Sequence, residues 1–299
     1  MLDHFDAGFV NEGQFVLSFY NRLDAYGDLE KQENLSRLVS DLLADPFFDI
    51  LRRAYRVEMD VSRLLGMLSE PSYAAVVYAV FAIIAAELKK SLVGNKSPSF
   101  GMDLDVLDEM FPAAKIINVV PDGRDCALSH FKLSWGHKNA YAAARAWALY
   151  VDRARASGER IGPECYLELR YEDLQANPFD AVSRMAVFVN GSGSSSIAEG
   201  FMADLENNRL KRNTNKWESV LSRKQQRVFE AVAGRQLKEY GYKRNFKDPG
   251  NILLPMQSAY RFHDWASRNT WHVVRKLFPS ISEHLKGSEH LKRKKACSQ

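Results

Sequence analysis

Residues 115–135, Lys115-IINVVPDGRDCALSHFKLS-Trp135, decide how the rest of the chain is read. Ile116, Ile117, Val119 and Val120 form a short apolar run of the kind that makes a strand buried on both faces. Pro121, Asp122 and Gly123 break it within three residues. From Asp125 the spacing turns helical, with Ala127, Leu128, Phe131 and Trp135 available for one packed face. Strand, tight turn and helix together aim backbone N–H groups and a positive dipole end at an anion. Arg124 and Ser129 add a guanidinium and a hydroxyl beside that point. On these residues alone, an ordinary βα turn explains the stretch equally well.

Working outward, the later chain repeats the alternation. A helix over about 141–156 is followed by Tyr166-Leu167-Glu168-Leu169-Arg170, which alternates like a strand and exits through Tyr171-Glu172-Asp173. Pro178 opens a further helix through Val189. Strands separated by helices of this length argue for βαβ units and an α/β fold with a central parallel sheet. Ligands of such sheets bind at the carboxyl ends of the strands, which puts Arg124, Ser129 and Tyr171 on one rim.

Upstream, residues 31–68 read as polar-faced helices, and the stretch from about Pro71 to Leu92 as a nearly all-apolar, central helix. It breaks at Gly94-Asn95-Lys96-Ser97-Pro98, which puts Lys96 on a loop. Near the start, Glu12 precedes the helical spacing Val16, Phe19, Tyr20, Leu23, where a carboxylate favours the helix dipole. Downstream, NGSGSSS at 190–196 reads as a connector. Arg209, Lys211, Arg212 and Lys216 form a basic run ending at Trp217, and Ser222 with Gln225 makes a capping box for a helix ended by Gly241. From Asp248 aromatic and basic residues alternate. Two readings of that extension stand: an amphipathic basic helix on a membrane surface, or a helix packed back on the domain.

Composition sets the limits. With 299 residues, 46% of them hydrophobic, the chain can bury a sizeable core. A net charge of +4 is too mild to announce nucleic acid, but suits an anionic ligand if it is focused in one cleft. Cys126, Cys165 and Cys297 are an odd number without metal-ligand spacing, which points to a reducing, cytoplasmic setting and no metal. The apolar run 73–86 is shorter than the ~20 residues a bilayer span needs.

Taken together, four stretches resemble the sulfotransferases that use 3′-phosphoadenosine 5′-phosphosulfate. KIINVVPDGRDCALSHFK is similar to the family's 3′-phosphate segment, LELRYEDLQANP to its Tyr-Glu-Asp segment, and NKWESVLSRKQQRVFEAVAGRQLKEYGY to its Lys-Trp-then-helix segment. GNKSPSF (94–100) resembles the Lys-Ser/Thr-Pro loop of the carbohydrate-directed members. The order and spacing agree from about Glu12 to Tyr242.

The resemblance implies a P-loop-like, three-layer αβα domain over 1–245 and a helical basic extension over 246–299. It implies transfer of a sulfuryl group to a hydroxyl or amine of a small-molecule, carbohydrate or lipid acceptor, with no nucleic acid as partner. By resemblance, Ser129 binds the 3′-phosphate with Arg124 near it, Tyr171 lies beside the adenine, and Arg209, Lys211 and Arg212 cover the same phosphate. Glu12 corresponds to the general base and Lys96 to a lysine at the acceptor or transferring group. Two departures stand out. The family's first strand and Gly/Ser-rich 5′-phosphosulfate loop have no counterpart in the sequence, which implies impaired transfer. Pro121 stands where the family has its first 3′-phosphate arginine. A non-catalytic descendant binding a nucleotide, carbohydrate or partner is the alternative, and a membrane-contacting or polyanion-binding module on 250–299 is a third.

Overall fold

The computed structural model describes residues 7–11, 13–191, 195–207 and 214–277. It is a mixed α/β structure with many helices and short strands, including a small parallel ladder. The chain divides into two compact units, one of Met1–Val119, Arg153–Leu169 and Asp173–Leu210, the other of Val120–Asp152, Arg170–Glu172 and Lys211–Gln299.

The first unit opens with β1 (Ala7–Asn11), which pairs in parallel with β2 (Leu92–Lys96), Ala7 opposite Leu92 and Asn11 opposite Lys96. Between them lie α1 (Phe15–Tyr20), α2 (Gln32–Leu43), α3 (Pro46–Ile50), α4 (Val61–Gly66) and α5 (Tyr73–Glu87). Three of these helices, α3, α4 and α5, start at a side-chain cap. Asp45, with Pro46 at the first helical position, accepts from the Phe47 N–H; Asp60 accepts from Arg63, and Ser72 from Ala75. On α2, Leu35, Leu38, Val39 and Leu42 fall at helical spacing and are buried. They join Val76, Val77, Val80, Ile83 and Ile84 of α5 and the rings of Phe15, Phe47 and Phe48 in one core. The Tyr73 hydroxyl lies 3.0 Å from the Phe15 carbonyl and 2.9 Å from that of Val16, anchoring α1 to the start of α5.

Two sequence expectations are corrected here. The apolar helix stops at Glu87, where Lys89 takes a positive φ of 53°, and the chain turns into β2. Lys96 is therefore the exposed last residue of a strand rather than a loop residue. Neither β2 (LVGNK) nor β1 (AGFVN) has the composition of a strand; the cross-strand ladder satisfies their backbone and overrides weak local preference.

After a 3₁₀ turn (Pro98–Met102) and α6 (Leu104–Met110), β3 (Ile116–Val120) pairs with β4 (Tyr166–Arg170), and the Ile116 N–H donates to the Cys165 carbonyl at 2.8 Å. The strand is less covered than its composition suggests: Val119 is exposed and Ile116 and Ile117 half-buried, while Asn118 is buried and donates to the Tyr166 hydroxyl at 2.9 Å. β4 leads straight into α9 (Tyr171–Ala176), then α10 (Pro178–Asn190) and α11 (Ser195–Asn207). Val182, Met185 and Ala186 of α10 bury Ile197, Ala198 and Phe201 of α11 against Leu169. The connector expected at 190–196 lies partly outside the described residues.

The second unit is built on α7 (Gly123–Lys132), residues 140–152 of α8 (Ala140–Ile161), α12 (Trp217–Val220), α13 (Arg223–Glu239) and α14 (Leu254–Leu277). α7 stops at Lys132, so Trp135, expected on its packed face, lies beyond the helix and is exposed. α8 runs on to Ile161, through Gly158, and ends at Gly162, whose φ of +86° suits glycine. A Cβ at Gly158 would lie 2.2 Å from the Tyr166 ring, so glycine permits that close approach within the helix. The Ser222–Gln225 capping box forms as read, and Gly241 follows α13 at φ +69°. Val120, Ala127, Ala144, Trp147, Val151, Phe229, Leu237 and Tyr242 make this unit's core. Of the two readings of the extension, packing holds for one side of α14: Tyr260 stacks on Tyr141, and Asp264 accepts from the Lys138 N–H. No helix of the described residues is long and apolar enough to cross a membrane.

Gly123 supports a direct test. A Cβ there would lie 2.3 Å from the buried Trp147 ring, whereas one at Gly66 meets nothing within 4 Å. Gly123→Ala should cost about 1–3 kcal/mol in urea unfolding. Gly66→Ala should be neutral or stabilising by up to ~1 kcal/mol.

Candidate functional site

The turn after β3 is held by charge. Asp122 is the N-cap of α7, and its carboxylate accepts from the Arg124 backbone N–H at 2.9 Å. The same carboxylate grips the Arg124 guanidinium, with Nε at 3.0 Å and Nη2 at 2.7 Å. On its other side Arg124 meets Glu230 of α13 at 3.2 Å, and its Cζ lies 3.5 Å from the centroid of the Trp217 ring. Asp122, Arg124, Glu230 and Trp217 are each about 1% exposed. Buried charge of this kind persists only when fully paired. Glu230 meets that condition with two further donors, the N–H groups of Asn245 and Phe246 at 2.9 and 3.0 Å.

Two more carboxylates tie the same region together. Asp125 accepts from the N–H groups of Asn215 at 2.7 Å and Trp217 at 2.9 Å, so it holds the chain where it leaves the basic run. Burial pushes its carboxyl above the usual range, the two N–H donors opposing that shift. Glu172 of the Tyr-Glu-Asp segment accepts from the Asp122 N–H at 3.0 Å and from the Tyr242 hydroxyl at 2.6 Å. That hydroxyl also lies 3.0 Å from the Val120 carbonyl at the end of β3. Hydrogen bonds thus join Asp122, Arg124 and Asp125 of the 3′-phosphate-like segment, Glu172 of the Tyr-Glu-Asp segment and Trp217, Glu230 and Tyr242 of the Lys-Trp-then-helix segment, all of them residues of the second unit.

The expected ligand residues fall out differently. Ser129 is exposed, one turn beyond Asp125, with its hydroxyl 3.4 Å from the Asp125 carbonyl. Tyr171 is half-buried at the first position of α9, directly after β4. Arg124, read as a guanidinium beside the anion, is turned inward onto carboxylates of its own chain. The anion that the βα turn favours is supplied in part by Asp122, which takes the Arg124 N–H an external ligand would need. Arg209, Lys211 and Arg212 lie outside the described residues.

In the other unit, Lys96 stands exposed at the end of the parallel ladder opposite Asn11. Glu12, the next residue, lies outside the described residues. Just beyond it, Gly13 and Asn95 exchange a reciprocal pair of hydrogen bonds, 3.1 Å and 3.2 Å, which clamp the chain leaving β1 to β2. A Cβ at Gly13 would lie 2.7 Å from the Asn95 amide nitrogen, so glycine permits this approach. Sequence reasoning did not single out Asp122, Asp125, Glu172 or Glu230 individually. The only signal for them was the recurrence of acids inside the three motifs. No group of three or more His, Cys, Asp or Glu among the described residues could hold a metal ion.

α7 also carries two groups that burial alters. The Cys126 thiol is pushed up to about 12, chiefly by desolvation and further by the acids around it. Desolvation holds the His130 imidazole below its usual 6.5, as does the His137 ring stacked 5.4 Å away; Arg268 and Lys138 act the same way and Asp264 opposes them.

The family model described as "Sulfotransferase family" matches residues 4–191, and the chain belongs to that family. Among solved structures, one titled "Sulfotransferase Domain from the Curacin Biosynthetic Pathway" is similar, with a TM-score of 0.40 and 16% identity, covering 79% of this chain and 97% of that one. No curated protein matches.

Two measurements check the site's electrostatics. Arg124→Leu strands the buried carboxylates of Asp122 and Glu230 and should cost about 3–5 kcal/mol in denaturant unfolding at neutral pH. The unfolded chain takes a proton at His130 near pH 6.5 that the folded chain resists. Its contribution to stability is therefore present above that pH and lost as pH falls through it. The melting temperature should drop on acidification across this range, and His130→Gln should flatten that slope.

Proposed function

We propose that this protein transfers the sulfuryl group of 3′-phosphoadenosine 5′-phosphosulfate to a hydroxyl or amine of a small-molecule, carbohydrate or lipid acceptor. One observation carries the reading: residues from the three segments that resemble the family's nucleotide-side motifs are hydrogen-bonded to one another in the second unit, through Arg124–Glu230, Asp125–Trp217 and Glu172–Tyr242. On this reading the α/β domain is of the P-loop-like, three-layer kind and extends over 1–245, and the basic extension begins at 246.

Ser129 donates its exposed hydroxyl to the 3′-phosphate, Tyr171 lies beside the adenine, and Arg209, Lys211 and Arg212 supply positive charge over the phosphate. Arg124 acts from beneath, holding the turn and α13 rather than touching the ligand. Glu12 takes the acceptor's proton as its oxygen or nitrogen bonds to sulfur. The bond from sulfur to the nucleotide's phosphate oxygen breaks, and Lys96 offsets the charge carried by the transferring group. Pro121 has neither charge nor N–H to offer. Losing one charged hydrogen bond costs roughly 1.5–3 kcal/mol, so nucleotide affinity should fall about tenfold or more below that of a relative with arginine there. A non-catalytic descendant has one observation in its favour: the Arg124 guanidinium is already spent on Asp122 and Glu230.

Calorimetric titration of the 299-residue protein with 3′-phosphoadenosine 5′-phosphate tests the proposal. Micromolar binding is expected, weakened about tenfold in Ser129→Ala. No binding by a folded sample overturns the nucleotide reading. Binding without sulfate transfer to any acceptor hydroxyl favours the non-catalytic one.

A further inference from the structure

The anchoring contacts of α14 described above, with those of Gln257, share one side of the helix. Gln257, Tyr260 and Asp264, spaced three and four apart, face the helices beneath. Gln257 accepts from the Tyr141 hydroxyl at 3.0 Å, and Asp264 accepts from the Lys138 N–H at 2.6 Å while meeting His137 at 3.2 Å. The 3.6-residue repeat fixes what the other side carries. Leu254, Phe262 and Trp265 fall within about 80° of one another, turned roughly 120° away from the anchored residues. They are 76%, 67% and 62% exposed, and the Phe262 and Trp265 rings lie 5.9 Å apart. Arg261 borders this stripe and also lines a hollow of about 390 Å³ whose other cation is Arg145.

Charge is concentrated in the same part of the chain. From Leu254 to Gln299 the sequence holds nine lysines and arginines against three acids. That surplus exceeds the +4 of the whole chain, so the remaining residues are net negative.

We propose that the outward stripe of α14 rests on an anionic lipid surface, with Phe262 and Trp265 entering the headgroup boundary and Arg261 and Arg145 meeting lipid phosphates. Three large apolar side chains in one stripe, aromatic rings among them, with arginine at the border form the face of an interfacial helix. Electrostatics selects the occupant. Two copies meeting through this stripe would oppose their own basic borders, whereas an anionic bilayer attracts each basic residue near its surface. The proposal is independent of the nucleotide reading.

The test is flotation of the full 299-residue protein with phosphatidylcholine vesicles, with and without phosphatidylserine. Binding is expected only with phosphatidylserine, and should be lost as salt rises from roughly 0.1 M to 1 M. The double substitution Phe262→Ser/Trp265→Ser should lower partitioning about tenfold or more. Arg261→Glu should lower it about fivefold or more. All three positions are exposed, so melting temperatures should match the parent protein's. Equal binding to both vesicle types overturns the proposal. So does binding that the double substitution leaves unchanged, which would assign the effect to the basic tail alone. Concentration-dependent self-association in light scattering that the double substitution abolishes would make the stripe an interface between copies, and also overturns it.

Discussion

Everything around the β3–α7 turn depends on one guanidinium. Arg124 sits between Asp122, two residues before it, and Glu230, more than a hundred residues later, with the Trp217 indole against its face. Two buried acids without this cation would repel each other in a medium that screens poorly. With it they become a rigid joint. Asp122 fixes how α7 starts, Glu230 fixes α13 and the Asn245–Phe246 backbone, and Trp217 fixes where the chain returns. Arginine suits the post because its planar fork satisfies two carboxylates while its face stays free to stack.

This joint alters how motif residues are understood. In sequence, a basic residue beside a βα turn reads as a ligand for an anion, because charge and helix dipole agree. In the fold, the nearest anion is Asp122 of the same turn, and the interaction is internal. Glu172 behaves likewise: its two oxygens bind the Asp122 N–H and the Tyr242 hydroxyl, closing the end of β4 on the end of β3. On the proposed function, the motif's acids and its arginine hold the frame, and ligand contact is left to exposed side chains such as Ser129.

How legible the molecule was from sequence follows from where its structure is decided. β3, β4, α10, α13 and the capping box were readable because apolar spacing, turn residues and capping chemistry are local. β1 and β2 were not, because AGFVN and LVGNK become strands only by pairing across more than eighty residues. That is why Lys96 reads as a loop residue yet ends a ladder, opposite the residue before Glu12. The end of α7 departs from the apolar spacing because Leu133 turns extended, which leaves Trp135 in solvent although the spacing favours its burial. The inward turn of Arg124 was out of reach for the same reason: Glu230 is remote in sequence, and only packing brings it near.

The Cys126 thiol gives α7 a chemical property of its own. With a pKa near 12 it stays protonated at neutral pH, and the thiolate that alkylating agents and peroxides attack is scarcely present while the helix is seated. Reagents that need the thiolate are therefore disfavoured at the residue next to Asp125 in the folded protein. If α7 lifts, water reaches the sulfur, its acidity returns toward the ordinary thiol range, and the group becomes reactive. Burial, reinforced by the acids that hold the turn, thus keeps the thiol protonated, and the rate at which that sulfur is modified should rise with opening of the joint.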